Sequence, residues 1–151
     1  MIHFLYKKQV IQFIVMVIVG MLFNPMNILA YRINDLYISL TLFYSGLLMA
    51  TNMIWAHEII HYLSMNHFNM YNFFTGISLS ILVSVILRKQ LFVDDKQWLK
   101  RMIGHHSTAI TTTTQLLDNQ KNVTDNSYMY RLAKDIVYNQ EKEILFMKNM
   151  L

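Results

Sequence analysis

The 151-residue chain is apolar and basic, with 54% hydrophobic residues, 15% charged residues and a formal net charge of +4 with His neutral. So few charges in so apolar a chain argue against an ordinary soluble domain. The chain has no Cys, which excludes disulfides, zinc–thiolate sites and thiol catalysis. Ten of the 13 Lys and Arg residues lie at or after Arg88, which predicts juxtamembrane charge rather than a nucleic-acid-binding surface.

The first apolar segment, residues 10–30, follows Lys7 and is predicted to be the first membrane span. Asn24-Pro25 interrupts it, so we expect a kink there, or a short helix followed by a re-entrant stretch. The alternative is a signal peptide cleaved after Ala30. Signal peptides are cleaved after small residues, and the residues before Ala30 fit that pattern poorly. A retained span is therefore favoured.

Two further segments, residues 36–56 and 68–87, carry no charge. Each has the ~20 residues that a 30 Å hydrocarbon core requires, and both contain the small and hydroxyl residues typical of helices that pack in lipid. Asp35 is the predicted N-cap of the second span. Residues 1–90 are therefore predicted to form a membrane domain with three spans, in a multi-pass integral membrane protein whose partner is the lipid bilayer.

Three spans would place the loop His57–His67 on one side of the membrane and Arg32 with the C-terminal tail on the other. More Lys and Arg residues flank the membrane on the tail side, so the positive-inside rule favours a cytoplasmic C-terminal domain, although Lys7 and Lys8 oppose this orientation.

The sequence His57-Glu58-Ile59-Ile60-His61, with His67 ten residues after His57, fits the zinc-protease pattern H-E-x-x-H. Histidines at i and i+4 share a helix face, and Glu58 would be the general base. However, Ser64 replaces the Gly of the extended pattern, and the end of a span leaves no room for a substrate cleft. In order of preference, the interpretations are an interfacial turn, a second metal site, and a membrane zinc metalloprotease.

Residues 91–151 are predicted to form an antiparallel helical hairpin. Asp94 with Gln97 predicts an N-cap, followed by a helix to about Leu117, a polar turn over 118–125 and a second helix over about 126–149. The predicted inner stripe of the first helix is Leu99, Met102, His106, Ala109, Thr113 and Leu116; that of the second is Met129, Leu132, Ile136, Gln140, Glu143 and Met147.

Hairpin geometry places Met102 and His106 near the level of Glu143 and Met147. A His, a carboxylate and two thioethers suit copper or another late transition metal. His105 points about 100° away from its neighbour on a helix, so it would need ligands from another chain or from the membrane domain. The residues alone favour the alternative, in which His106 is a hydrogen-bonded core residue and the Met side chains fill space.

The run from Val93 to Ile110 resembles domain-of-unknown-function family 305, whose members typically show Met-Ile-Pro-His-His followed by Ala-Ile. The second helix is also similar, through Leu132–Ile136 and the Gln140–Ile144 block followed by Met147. The resemblance covers about the last 60 residues. The chain departs from the pattern at Gly104, which replaces the usual Pro, and at two positions where copper-binding members often have Met, Thr108 and Thr112.

The resemblance implies a ferritin-like four-helix fold built from paired hairpins, a link to copper binding or tolerance, and a set of metal ligands: Met102, His105, His106, Glu143 and Met147. The expected fold is thus all-α, with three spans followed by half of such a bundle. Copper is the expected metal ahead of zinc, and a second copy is the expected partner, because one hairpin is too small to bury a core alone. The other function considered is a non-enzymatic assembly protein. An enzyme is not the favoured class, since no nucleophile–base pair or phosphate-binding loop is present.

Overall fold

A computed structural model describes residues 2–119 and 128–151, with the side chains of residue 7 and of residues from 9 onward. In these ranges the chain is helical and contains no strand, which confirms the all-α prediction. The α-helices are α1 (Ile2–Leu22), α2 (Pro25–Ile28), α3 (Leu40–Met65), α4 (Met70–Arg88), α5 (Asp95–Asn119) and α6 (Tyr128–Asn149), with a 3-10 turn at Ile33–Asp35.

The chain divides into two compact units, one formed by residues 1–24 and 40–92 and the other by residues 25–39 and 93–151. The boundary near Phe92 lies close to the predicted division into 1–90 and 91–151. The difference is the segment 25–39, which belongs with the C-terminal helices. This segment is separate from the first unit because α1 ends at Leu22. Pro25 restricts the residue before it and lacks an amide hydrogen, so it begins the new helix α2 instead of continuing α1. The predicted first span, 10–30, is therefore not one helix.

In the first unit, α3 packs against both α1 and α4. The contacts are close at two glycines. A Cβ atom at Gly46 would lie 2.6 Å from the carbonyl oxygen of Val17, and one at Gly76 would lie 2.8 Å from the amide nitrogen of Trp55. Such distances are below any normal contact, so only glycine permits the backbones to approach this closely.

Within the described ranges, one helix is long and apolar enough to cross a membrane, namely α4. The apolar stretch of α1, Gln9–Leu22, is shorter than a span. The 26 residues of α3 include Asn52, His57, Glu58 and His61, which lower its mean hydropathy. The prediction of three spans is thus not confirmed by helix length and composition.

The prediction of a loop from His57 to His67 is wrong for most of that range, because α3 continues to Met65. His57 and His61 therefore lie on its last turns. The chain reverses at Asn66, which has a φ of 52°, a left-handed conformation that Asn tolerates better than most residues. The side chain of Asn69 then caps α4 by accepting a hydrogen bond from the amide of Asn72 (3.2 Å).

In the second unit, α5 and α6 run antiparallel around a small apolar core made of Leu99, Ile103, Ile110, Ile144 and Met147. The N-cap of α5 is confirmed, since the carboxylate of Asp94 accepts a hydrogen bond from the amide of Gln97 (2.7 Å). Of the predicted turn 118–125, residues 118 and 119 lie in α5; the rest, with the predicted start of the second helix at 126, lie outside the described residues.

The buried face of α5 is rotated by about one residue from the predicted stripe. Its buried residues are Leu99, Ile103, Ser107 and Ile110. The rotation arises because α5 also packs against α2 and the 3-10 turn. The prediction that Asp35 is the N-cap of the second span is wrong. It lies in the 3-10 turn, is 1% exposed and binds the hydroxyl of Ser107 (2.7 Å) and the ammonium of Lys148.

Candidate metal centre

The structure brings His106 and Glu143 together across the hairpin. Nδ1 of His106 lies 2.9 Å from Oε2 of Glu143, and the two side chains are 12% and 54% exposed. The contact has the distance of an ion pair but not the angle of a hydrogen bond, so Nδ1 is buried without a hydrogen-bond partner. A buried nitrogen in this state is uncommon in folded proteins and needs a physical explanation.

The separation of these two atoms fits ligation of one ion. Two ligand atoms about 2.0–2.1 Å from a metal, at roughly 90° to each other, lie about 2.9 Å apart. The same distance also fits a plain ion pair, but an ion pair would gain from a hydrogen bond at Nδ1 that the observed angle does not provide.

Burial lowers the pKa of His106 from its ordinary value. The Glu143 carboxylate opposes this shift by attracting the protonated ring, and the neighbouring His105 adds to the lowering. The net lowering keeps the imidazole neutral near pH 7. Only the neutral ring has a nitrogen lone pair to offer a metal.

The two thioethers belong to the same region of the hairpin. Met102 precedes His106 by one helical turn and packs against the apolar core, and Met147 follows Glu143 by one turn and is part of that core. Met147 is 6% exposed, so it fills space in the core, as the alternative interpretation expects. His105 is exposed, and its ring centroid lies 5.9 Å from that of His106 with the planes inclined by 63°.

The other histidine group lies at the end of α3. The ring centroids of His57 and His61 are 4.7 Å apart with planes inclined by 33°, and those of His61 and His67 are 6.3 Å apart and nearly perpendicular. These rings form a cluster that includes both histidines of the H-E-x-x-H pattern.

Glu58 takes no part in that cluster. It is 7% exposed; Oε2 accepts the amide of Asn69 and Oε1 accepts the side-chain amide of Asn72, both at 3.1 Å. The carboxylate therefore ties α3 to the first turn of α4. With both oxygens engaged in this way, it is not placed to act as a general base.

Over residues 2–119 and 128–151, no three His, Asp or Glu side chains converge as a metal-binding group. A metal at either histidine group would need thioethers, water or another chain to complete its coordination.

Sequence reasoning missed the polar network around Asp35. The hydroxyl of Ser107 accepts the amide of Tyr31 (2.7 Å) and donates to Asp35, while Arg32 pairs with Glu141 at 2.9 Å. These partners are 72 to 109 residues apart, so no local pattern links them. A lone carboxylate beside a long apolar segment was the only signal.

The sequence profile of the family described as "Domain of unknown function (DUF305)" matches residues 87–151. The chain is also similar to the uncharacterized protein L153 of Acanthamoeba polyphaga mimivirus, with 33% identity over 130 residues that cover 85% of this chain and 81% of that protein. No solved structure matches. The profile match and the similarity to this relative together show that the chain belongs to the DUF305 family.

Proposed function

We propose that the chain is a membrane-anchored metal-binding protein whose hairpin holds a late transition metal, copper first and zinc second. The observation that carries the proposal is the buried Nδ1 of His106, which lies 2.9 Å from a carboxylate oxygen of Glu143 on the facing helix. Met102, one helical turn before His106, is the soft donor that the helical register offers, whereas Met147 lies in the apolar core. A site with imidazole and thioether ligands favours copper over harder cations.

The residues of the hairpin would prepare the site before metal arrives. Burial keeps His106 neutral, so no proton has to leave the ring on binding. Glu143 offers a charged oxygen from the facing helix, which offsets the charge of the metal. A bound ion would thereby link α5 to α6 and stabilise the hairpin in proportion to its occupancy.

Contacts within the second unit limit which helices can cross a membrane. Arg32 pairs with Glu141, and Asp35 with Lys148, so segment 25–39 and the hairpin share one side of any membrane. If α4 crossed alone, these partners would lie on opposite sides. Crossing by α4 therefore requires crossing by α3, despite the lower hydropathy of α3.

Exposed apolar side chains favour crossing over a wholly aqueous fold. Large hydrophobic residues along α1 and α4 are half exposed or more: Val10, Ile11, Ile14, Leu22, Phe74, Ile81 and Leu82. In water this much exposed apolar surface would drive aggregation, whereas in lipid it is solvated. We therefore propose three spans, α1, α3 and α4, in a multi-pass protein, with the more basic hairpin side in the cytoplasm.

Elemental analysis of full-length protein purified in detergent and exposed to copper tests the metal proposal. We expect about one more copper per chain in the wild type than in His106→Ala or Glu143→Gln, in which the hairpin site should bind copper at least tenfold more weakly. Glu141→Gln is the matched control, because Glu141 lies two residues away on α6 but pairs with Arg32. His105→Ala reports whether a second copy contributes that ring. Equal copper in the wild type, His106→Ala and Glu143→Gln would refute the proposal.

A second function, assembly of copies through the hairpin, is favoured by the outer face of α6. Tyr138, Leu145 and Phe146 are 59%, 60% and 68% exposed there, and a second hairpin would cover them. Light scattering in detergent should give a dimer for the wild type and a monomer for Phe146→Glu. A wild type that is monomeric at all concentrations would remove this candidate.

A further inference from the structure

We propose a second metal site in the first unit, in which His57 and His61 chelate one copper(II) ion at the end of α3. The two residues lie one helical turn apart on the same face of the helix. This site shares no ligand with the hairpin and goes beyond the function proposed above.

The ring positions fit a common ion. An imidazole that binds through one nitrogen has its ring centroid about 3.2 Å from the metal, since the bond itself is about 2.0–2.1 Å. Two centroids 4.7 Å apart then subtend an angle of about 95° at the metal. This is close to the 90° between neighbouring positions of the tetragonal geometry that copper(II) prefers, so the separation of the two rings suits one shared ion.

His67 is not part of the chelate. Its centroid lies 6.3 Å from that of His61, and within the described ranges no three His, Asp or Glu side chains converge as a metal-binding group. The remaining positions around the ion are therefore left to water.

Glu58 makes the pair rigid. It lies between the two histidines in sequence but faces the beginning of α4, where Asn69 and Asn72 donate hydrogen bonds to its oxygens. The last turns of a helix normally fray; here they are fastened to the start of α4. Ligands on a fixed helical turn lose little conformational freedom when they bind a metal, which strengthens chelation.

Aqueous ions have access to the site. Glu58 lies level with the first turn of α4, so His61, one turn further along α3, lies beyond the beginning of the candidate span Met70–Arg88. His57 is exposed and His61 is half-buried. The chelate is therefore placed at or outside the end of that span.

The test uses full-length protein in detergent carrying His106→Ala and Glu143→Gln, so that its result is independent of the hairpin site. Copper(II) chloride is titrated near pH 7.4 and followed by electron paramagnetic resonance, which counts coordinated nitrogens. We expect one copper with two nitrogen ligands. His57→Ala or His61→Ala should weaken its affinity at least tenfold and leave at most one nitrogen.

The control variant is His67→Ala, another exposed histidine, which should change the affinity less than threefold. The proposal is overturned if His57→Ala and His61→Ala bind as the parent does. It is also overturned if His67→Ala loses as much affinity as these two, because the copper would then bind surface histidines without selection. Far-UV circular dichroism of each variant establishes that the helices are intact.

Discussion

The hydroxyl of Ser107 donates a hydrogen bond to Oδ2 of Asp35 across 2.7 Å, and the two side chains are 0% and 1% exposed. The same hydroxyl accepts the amide of Tyr31, and the ammonium of Lys148 contacts the other carboxylate oxygen. A buried carboxylate is costly unless it is paired and hydrogen-bonded. Because every group in this network has a partner, it fastens segment 25–39 to α5 and α6.

Replacing Ser107 with Ala should lower the free energy of unfolding by about 1–3 kcal/mol, since the amide of Tyr31 and the Asp35 carboxylate each lose a buried partner. Denaturant titration of the full chain in detergent, followed by circular dichroism, measures the loss. Thr112→Ala is the control, because that hydroxyl is exposed and bonds only to carbonyls of its own helix. Equal stability of the two variants would contradict the role given to Ser107.

Features that act within one or two helical turns could be predicted from the sequence. The Asp94 cap acts on an amide three residues away. The ring of Pro25 prevents α1 from continuing past this point. His57 and His61 share a face simply because of helical periodicity. Each of these depends on chain geometry close to the residue itself.

The environment of Asp35 could not be predicted in this way, because its partners come from distant parts of the chain. The same cause explains the rotated face of α5. The predicted stripe assumed that only the facing helix α6 covers α5, whereas segment 25–39 covers it from another side and buries Ser107. The pairing of His106 with Glu143 was predictable at the level of register, but the missing hydrogen bond at Nδ1 was not.

Single introduced cysteines can show on which side of the membrane each position lies, because the chain has no Cys of its own. Ile33, Tyr128 and Met65 are 85%, 80% and 70% exposed, so a thiol at each would be accessible. An impermeant maleimide applied to sealed vesicles should label Ile33→Cys and Tyr128→Cys from the same side and Met65→Cys from the opposite side.

Permeabilised vesicles give the full labelling of each variant as the control for this measurement. Labelling of Ile33→Cys and Tyr128→Cys from opposite sides would contradict the contacts of segment 25–39. Labelling of all three from one side would mean that α3 and α4 do not cross.

The stability of the hairpin should fall in mild acid. Burial lowers the folded-state pKa of His106, whereas the unfolded ring titrates near 6.5. Below about pH 6.5 the unfolded chain takes up a proton that the folded hairpin resists, so stability present at pH 7.5 decreases as the pH approaches the lowered pKa. His106→Gln should reduce the difference in unfolding free energy between pH 7.5 and 5.5. A His106→Gln profile as steep as that of the wild type would assign the acid sensitivity to other groups.

Gly76 and Gly104 form a matched pair for the close contact between α3 and α4. Both are helical glycines, so Ala at either position gains up to about 1 kcal/mol of helix propensity. A Cβ atom at Gly104 meets nothing closer than the carbonyl oxygen of Asp35 at 3.9 Å, but at Gly76 it would lie 2.8 Å from the backbone nitrogen of Trp55. Gly104→Ala should therefore be neutral or stabilising, and Gly76→Ala should destabilise the first unit by about 1–3 kcal/mol, as overpacking does. Thermal unfolding of both variants in the same detergent compares them directly, and a Gly76→Ala variant as stable as Gly104→Ala would mean that α3 and α4 do not approach this closely.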